Sequence, residues 1–217
     1  MSLLQAPVNV EQLHPYDVLR WAFDTYGVDN VVVTSSFEDA VLAHLAVSAN
    51  QQADIVLLDT QYLFAETWWL AEEMQNRFDI NLRVVRPRPE IYRDNLWQSD
   101  VGECCAVRKV EPLNRALEGK AAWITGLRRD DGPTRANTPV VTYDIGRNLV
   151  KINPMAGWTD ADVAMYAEIN QLPVNPLSER GYPSIGCWPC TRPVAEGEDR
   201  RGGRWAGNSK TECGLHA

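Results

Sequence analysis

Basic charge is scarce in this chain: 21 Lys and Arg stand against 29 Asp and Glu, a formal net charge of −8. A general nucleic-acid binder or a membrane-surface binder needs a basic face, so this balance argues against both. An anionic small molecule is not excluded, because a pocket needs only a few local cations. No apolar run approaches the length that crosses a bilayer. The segment Met1 to Gln12 carries no basic stretch followed by an apolar one, so a cytoplasmic location is expected. No internal repeat or low-complexity block interrupts the chain.

What is present suits an ordinary globular domain: 217 residues, 45% hydrophobic and 23% charged. A chain of this length buries a full core without disulfides or metal. A single domain over 1–217 is expected, its last part, about 196–217, forming a mobile tail. Pro15 to Tyr26 has apolar residues at helical spacing, with Gly27 as a stop. Asn30 to Thr34, Asp54 to Leu58, Asn81 to Val85, Ala122 to Thr125 and Asn148 to Ile152 read as strands. Helical patterns follow at Phe37 onward, Ala65 to Phe78, about Glu103 to Leu117, and Thr159 to about Asn170. In the third of these, Pro112 should bend the helix or mark its beginning. In the last, Thr159 and Asp162 form a capping box. Strands alternating with helices predict an α/β fold, a mostly parallel sheet covered on both faces. Beyond Leu172 periodicity fades into an irregular C-terminal segment.

Ligands of open parallel sheets bind beyond the carboxyl ends of the strands. Ser35 and Ser36 stand at such an end and suit a phosphate, although Ser36 would equally serve as the cap of the next helix. This turn has no glycine-rich loop, so the backbone cannot wrap a pyrophosphate, which argues against ATP hydrolysis. Leu58, Asp59 and Thr60 end the second strand, where an adenine fits. Thr125, Gly126, Arg128 and Arg129 end the fourth, with Arg135 close behind. Arginines there match phosphate or sulfate oxygens by forked hydrogen bonds, or form a solvated basic loop.

The five cysteines fall as two pairs and a singlet: Cys104-Cys105, Cys187-Trp-Pro-Cys190, and Cys213. A reducing compartment disfavours disulfides, so the pairs read as four thiolates for zinc or for a cluster. Adjacent cysteines diverge in helix and strand alike, which is awkward for one tetrahedral ion and easier for a larger cubane. Cys213 lies in a segment with glycines at 202, 203 and 207, suited to swinging in and out of a site. His216 and Arg204 are placed to hold its thiol as thiolate. A spare terminal cysteine is the plain alternative.

The segments LLDTQYLFAET, ECCAVRKVEPL, WITGLRRDDGPTR, VKINPMAGWTDADV, NPLSERGYPSIGCWPCTRP and GRWAGNSKTECGLH together resemble the APS/PAPS reductase family, in its iron–sulfur, adenylyl-sulfate (APS) branch. The resemblance covers nearly the whole chain. It implies an adenine-nucleotide α-hydrolase-like, Rossmann-like sheet and one 4Fe-4S cluster on Cys104, Cys105, Cys187 and Cys190. By motif match, Lys109 falls between cluster and substrate, Arg201 and Arg204 join the substrate site, Cys213 is the nucleophile and His216 stands beside it. It further implies reduction of APS to sulfite and AMP through an S-sulfonated Cys213, with thioredoxin or a similar dithiol protein as reductant, in sulfate assimilation and cysteine biosynthesis. A homo-oligomer is compatible with all of this. PAPS reduction, a tRNA-thiolation-type transferase and a zinc-binding module are the rival readings. Two departures stand out: TSSFEDAV lacks the glycine common at the first turn, and DTQYLF has Gln61 where glycine is usual, which strains the chain if position 61 needs positive φ.

Overall fold

A computed structural model describes residues 6–91, 93, 95–205, 210 and 212–216. Gly207 and Thr211 of the expected tail lie outside the described residues. In chain order the principal elements are α1 (Pro15–Tyr26), β1 (Val31–Thr34), α2 (Val41–Ala49), β2 (Asp54–Leu58), α3 (Ala65–Phe78) and β3 (Leu82–Val85). Then come α4 (Leu96–Ser99), α5 (Val101–Cys105), a π-helical stretch (Ala106–Val110), α6 (Glu111–Ala116), β4 (Ala122–Ile124), β5 (Val141–Asp144), β6 (Leu149–Ile152) and α7 (Asp160–Ile169).

The described strands form one six-stranded sheet in the order β3-β2-β1-β4-β6-β5. All neighbours pair in parallel except β5, which runs antiparallel to β6 at the edge. Strand residues alternate between two cores. Val31, Val33, Ile55 and Leu57 face the core with α1, α2 and α3. Val32, Val56 and Trp123 face the other, with Leu113, Ala116 and Leu117 of the α6 region. This is the expected fold class: a mostly parallel sheet with helices on both faces.

Three local expectations need correction. The helix after β1 begins at Val41 and not at Phe37, and Ser36 does not cap it. Ser35 Oγ instead accepts from Phe37 N at 3.2 Å and Asp39 Oδ1 from Val41 N at 2.8 Å, so two side-chain turns precede the helix. Phe37 is fully buried with φ of 50°, which holds this turn tight against the core. Secondly, β5 was not expected; its residues are all half-buried, so it lacks a clean alternation. Thirdly, the helix expected from Glu103 to Leu117 is composite: Pro112 falls in the first turn of α6, and a π-helical stretch precedes it. No helix among the described residues is long and apolar enough to cross a membrane.

Ile55→Ala removes side-chain volume from a fully buried central-strand position. The expected loss is about 2–5 kcal/mol of unfolding free energy. Ile145→Ala, at an 85% exposed hairpin position, should shift it by no more than ~0.5 kcal/mol. Urea denaturation followed by circular dichroism checks both.

Candidate active site

β1 pairs with β2 on one side and β4 on the other. The chain therefore leaves the two neighbours β1 and β4 in opposite directions, and their carboxyl ends open a crevice between them. The main cavity, about 200 Å³, lies there. Ser35, Ser36, Leu58, Thr60, Thr125, Gly126, Arg128, Arg135, Arg201, Arg204, Lys109, Cys213 and His216 line it, fifteen expected substrate-site and catalytic residues less Asp59 and Arg129.

Those two are occupied elsewhere. Asp59 accepts from Gln61 N at 2.8 Å and from Arg86 Nε at 2.8 Å, bracing the turn after β2. That turn does hold Gln61 at φ of 63°. Its side chain is put to use there, Oε1 accepting from Arg108 Nη1 at 2.9 Å. The Arg129 guanidinium pairs with Glu11 and donates to Thr138 O, tying the N-terminal segment to the loop instead of facing the crevice.

Arg128 is buried, its Nη2 bonded to Asp160 Oδ1 at 2.7 Å and Asp131 Oδ1 at 3.1 Å. Its Nη1 is buried without a hydrogen-bond partner among the described residues, as is Nε of Arg204. Buried guanidinium donors are costly to leave unmet, so both suit an anionic ligand in this cavity. Arg204 also donates to Ser184 Oγ and Ile185 O and lies 4.7 Å from the Trp205 ring centre. Gly186 makes this approach available: a Cβ there would meet the Arg204 guanidinium at 2.2 Å. Gly203 is likewise short of space, since a Cβ would fall 2.2 Å from Arg192 O. This glycine serves close packing, whereas the sequence suggested a hinge.

The C-terminal segment is seated on the crevice. His216 stacks on Trp123 with centroids 5.3 Å apart and planes 10° from parallel. Trp123 is itself fixed by donating to Thr34 Oγ1 at 2.8 Å. Burial, followed by Lys151, Arg135, Arg147 and Arg201, pushes the His216 pKa well below its ordinary value. That shift favours the neutral imidazole, so a role of His216 beside Cys213 would run through hydrogen bonding or packing more than through positive charge. Cys213 is buried, packed with Cys105 and Trp205. Lys109 is a cation in electrostatic reach of Cys213. Burial pulls its pKa down, but Cys187 and Cys213 more than compensate and the net shift is upward.

Cys104, Cys105, Cys187 and Cys190 line a second, smaller cavity, and Lys109 lines both. Burial pushes the Cys104 thiol up to about 11, with Cys105 and Cys187 adding to the effect. Thr60 Oγ1 lies 3.2 Å from Cys187 Sγ. Among the described residues no three His, Cys, Asp or Glu converge to hold a single metal ion.

Sequence reasoning missed Trp123, Lys151 and Glu212. Trp123 reads as strand core, and nothing in its spacing announces a seat for the tail. Lys151 is buried in β6 with Nζ 4.9 Å from the centre of the Trp123 ring.

A crevice at the carboxyl ends of parallel strands, lined by clustered arginines and a buried thiol of the C-terminal segment, defines a class: an α/β protein equipped to take an anionic ligand. The chain belongs to the phosphoadenosine phosphosulfate reductase domain family, whose model matches residues 30–193. It is 49% identical to the adenosine 5'-phosphosulfate reductase of Streptomyces coelicolor, covering 96% of this chain and 90% of that protein. The reductase of the same name from Mycolicibacterium smegmatis is 47% identical, over 92% and 87%. Among solved structures, the phosphate complex of phosphoadenylyl-sulfate (PAPS) reductase from Candida auris matches with a TM-score of 0.74 and 29% identity, covering 85% of this chain and 93% of that one.

Burial lowers the Lys151 pKa from 10.5 to about 8, outweighing the opposing pull of Asp144. Between those values the unfolded chain binds more protons than the folded one, so this group makes stability rise with pH there. Lys151→Met removes the penalty. The variant should be more stable at pH 7 by roughly 3 kcal/mol at most. That advantage should shrink as pH rises from about 8 to 10.5. Paired urea titrations across the window test this, and a pH-independent difference would refute it.

Proposed function

We propose that this protein is an adenosine 5'-phosphosulfate reductase, an oxidoreductase that converts APS to sulfite and AMP, with Cys213 as nucleophile. The observation that carries this reading is the packing of Cys213 into the same crevice as Lys109, Arg128 and Arg204. An attacking thiolate and a sulfur ringed by anionic oxygens repel each other, and cations gathered at that spot lower the barrier. Preference for APS is supported by the names of the relatives at 47–49% identity, against a PAPS reductase at 29%.

In the first step the Cys213 thiolate forms a bond to the substrate sulfur. The bond from that sulfur to the phosphate oxygen breaks, and AMP leaves with the electron pair. Buried cationic donors on Arg128 and Arg204 are suited to the anionic charge. In the second step a thiolate of a thioredoxin-class dithiol attacks the Cys213 sulfur. Sulfite leaves with the electron pair, and the partner's second thiol resolves the mixed disulfide, returning Cys213 as a thiolate.

The four remaining cysteines fit an iron–sulfur cluster by donor chemistry, four thiols lining one cavity. Such a cluster would supply structure and an electrostatic influence, since two-electron thiol chemistry needs no one-electron relay. Lys109 lines both cavities and is in electrostatic reach of Cys187, Cys105 and Cys213. The Thr60 hydroxyl sets the orientation of the Cys187 sulfur.

Cys213→Ser should form no S-sulfonated adduct with APS in the absence of reductant, while binding AMP within about twofold of wild type. Intact-mass spectrometry and calorimetry measure the two, and an adduct on the variant would overturn the assignment. Protein purified without oxygen should hold iron and acid-labile sulfide in equal amounts. A colourless preparation with zinc would sink the cluster and favour a zinc-binding module.

A further inference from the structure

The residue before the nucleophile has a function of its own. Arg135 donates from Nε to Glu212 Oε1 and from Nη2 to Glu212 Oε2, each at 3.0 Å, a two-point fork. Arg201 Nη2 donates to Oε2 at 3.1 Å and Thr134 Oγ1 to Oε1 at 3.1 Å. The other side of Arg135 is engaged as well, Nη1 donating to Asp131 Oδ2 at 2.8 Å. Arg135 is thus held between two carboxylates, and its planar fork is spent on the tail. Arg128 and Arg204, by contrast, each keep a buried donor without a partner among the described residues. Of the five arginines that line the crevice, Arg135 and Arg201 hold the tail carboxylate and Arg200 pairs with Glu38 and Asp160, while Arg128 and Arg204 have a donor left over.

We propose that Glu212 is a positioning residue: its carboxylate, forked onto Arg135 and bonded to Arg201, fixes the C-terminal segment so that Cys213 meets the crevice. Arg135, expected from the sequence to bind substrate, serves the tail. The proposal rests on Cys213 being the nucleophile. Glu212 is half-buried, and although burial pushes its pKa up, Arg135 and Arg201 bring it below the ordinary value. The carboxylate therefore stays charged through the neutral range. The backbone makes the link direct: Glu212 and Cys213 are adjacent, and Gly214 at φ of 82° turns the chain at once so that His216 reaches Trp123. The thiol is pinned from both sides, by an ionic fork before it and a stacked ring after it.

A competing idea is that Glu212 merely fills an anion subsite and is displaced when substrate arrives. The two differ in sign. If the carboxylate is a stand-in, Glu212→Gln should tighten substrate binding and speed adduct formation. If it is a clamp, the variant should expose Cys213 and slow its capture of sulfur, leaving nucleotide affinity alone.

The test uses the full chain, reduced and free of dithiol partner. Alkylation of Cys213 by iodoacetamide, read on the Cys213 peptide by mass spectrometry, should be about tenfold faster in Glu212→Gln. S-sulfonation by APS in single turnover should be about tenfold slower, with AMP affinity within about twofold. Arg135→Lys, which keeps the charge and loses the fork, should fall between wild type and Glu212→Gln on both readouts. Unchanged alkylation in Glu212→Gln, or faster sulfonation with tighter substrate binding, would overturn the proposal. Should wild type form no adduct with APS while Glu212→Gln still unmasks Cys213, the reductase reading fails and the clamp stands.

Discussion

The pairing of β1 with β2 on one edge and β4 on the other governs everything built above it. Because the chain crosses back after β3 to set β4 on the other side of β1, the loops after β1 and β4 diverge and leave a crevice between them. Ser35 and Ser36 enter from one loop, Thr125 and Arg128 from the other. The C-terminal segment then closes on the same place, since Trp123, its stacking surface, belongs to β4 and is anchored to Thr34 of β1. Site and tail are thus consequences of one parallel pairing.

The electrostatics run against the bulk composition. A chain of net charge −8 concentrates Arg128, Arg135, Arg201, Arg204 and Lys109 around one cavity. Burying so many cations is costly, and Asp131, Asp160 and Glu212 offset that cost by direct ion pairs. The partnering is uneven. Arg135 is saturated by carboxylates, while Arg128 and Arg204 each retain a buried donor without a partner among the described residues. Ligand-binding capacity in this pocket is set by what the acidic residues leave over, which net charge cannot report.

Much of this was legible in the sequence. Apolar runs of β-branched residues marked the parallel strands because both their faces are covered, and the capping box at Thr159 marked α7. The cysteine pairs were legible because few other roles explain two thiols beside each other. Strand β5 was not, since a half-exposed edge has no burial pattern to betray it. Nor was the exclusion of Asp59 and Arg129 from the crevice: their partners, Arg86 and Glu11, are set by tertiary approach and not by spacing. Arg135 shows the same limit in another form. Its position after β4 was a fair pointer to the site, but which carboxylate it meets depends on where residue 212 lands.

The π-helical stretch after Cys105 has a consequence for regulation. The wider turn belongs to the same continuous helical segment as the adjacent cysteines, and it carries Lys109, the residue whose ammonium lines both cavities. One cationic residue therefore borders both the sulfur-rich chamber and the crevice beyond β1 and β4. Were ligands in the two to interact through that charge, thermodynamic reciprocity would make their mutual effects equal in factor. A single lysine on a widened helical turn thus forms part of two walls at once.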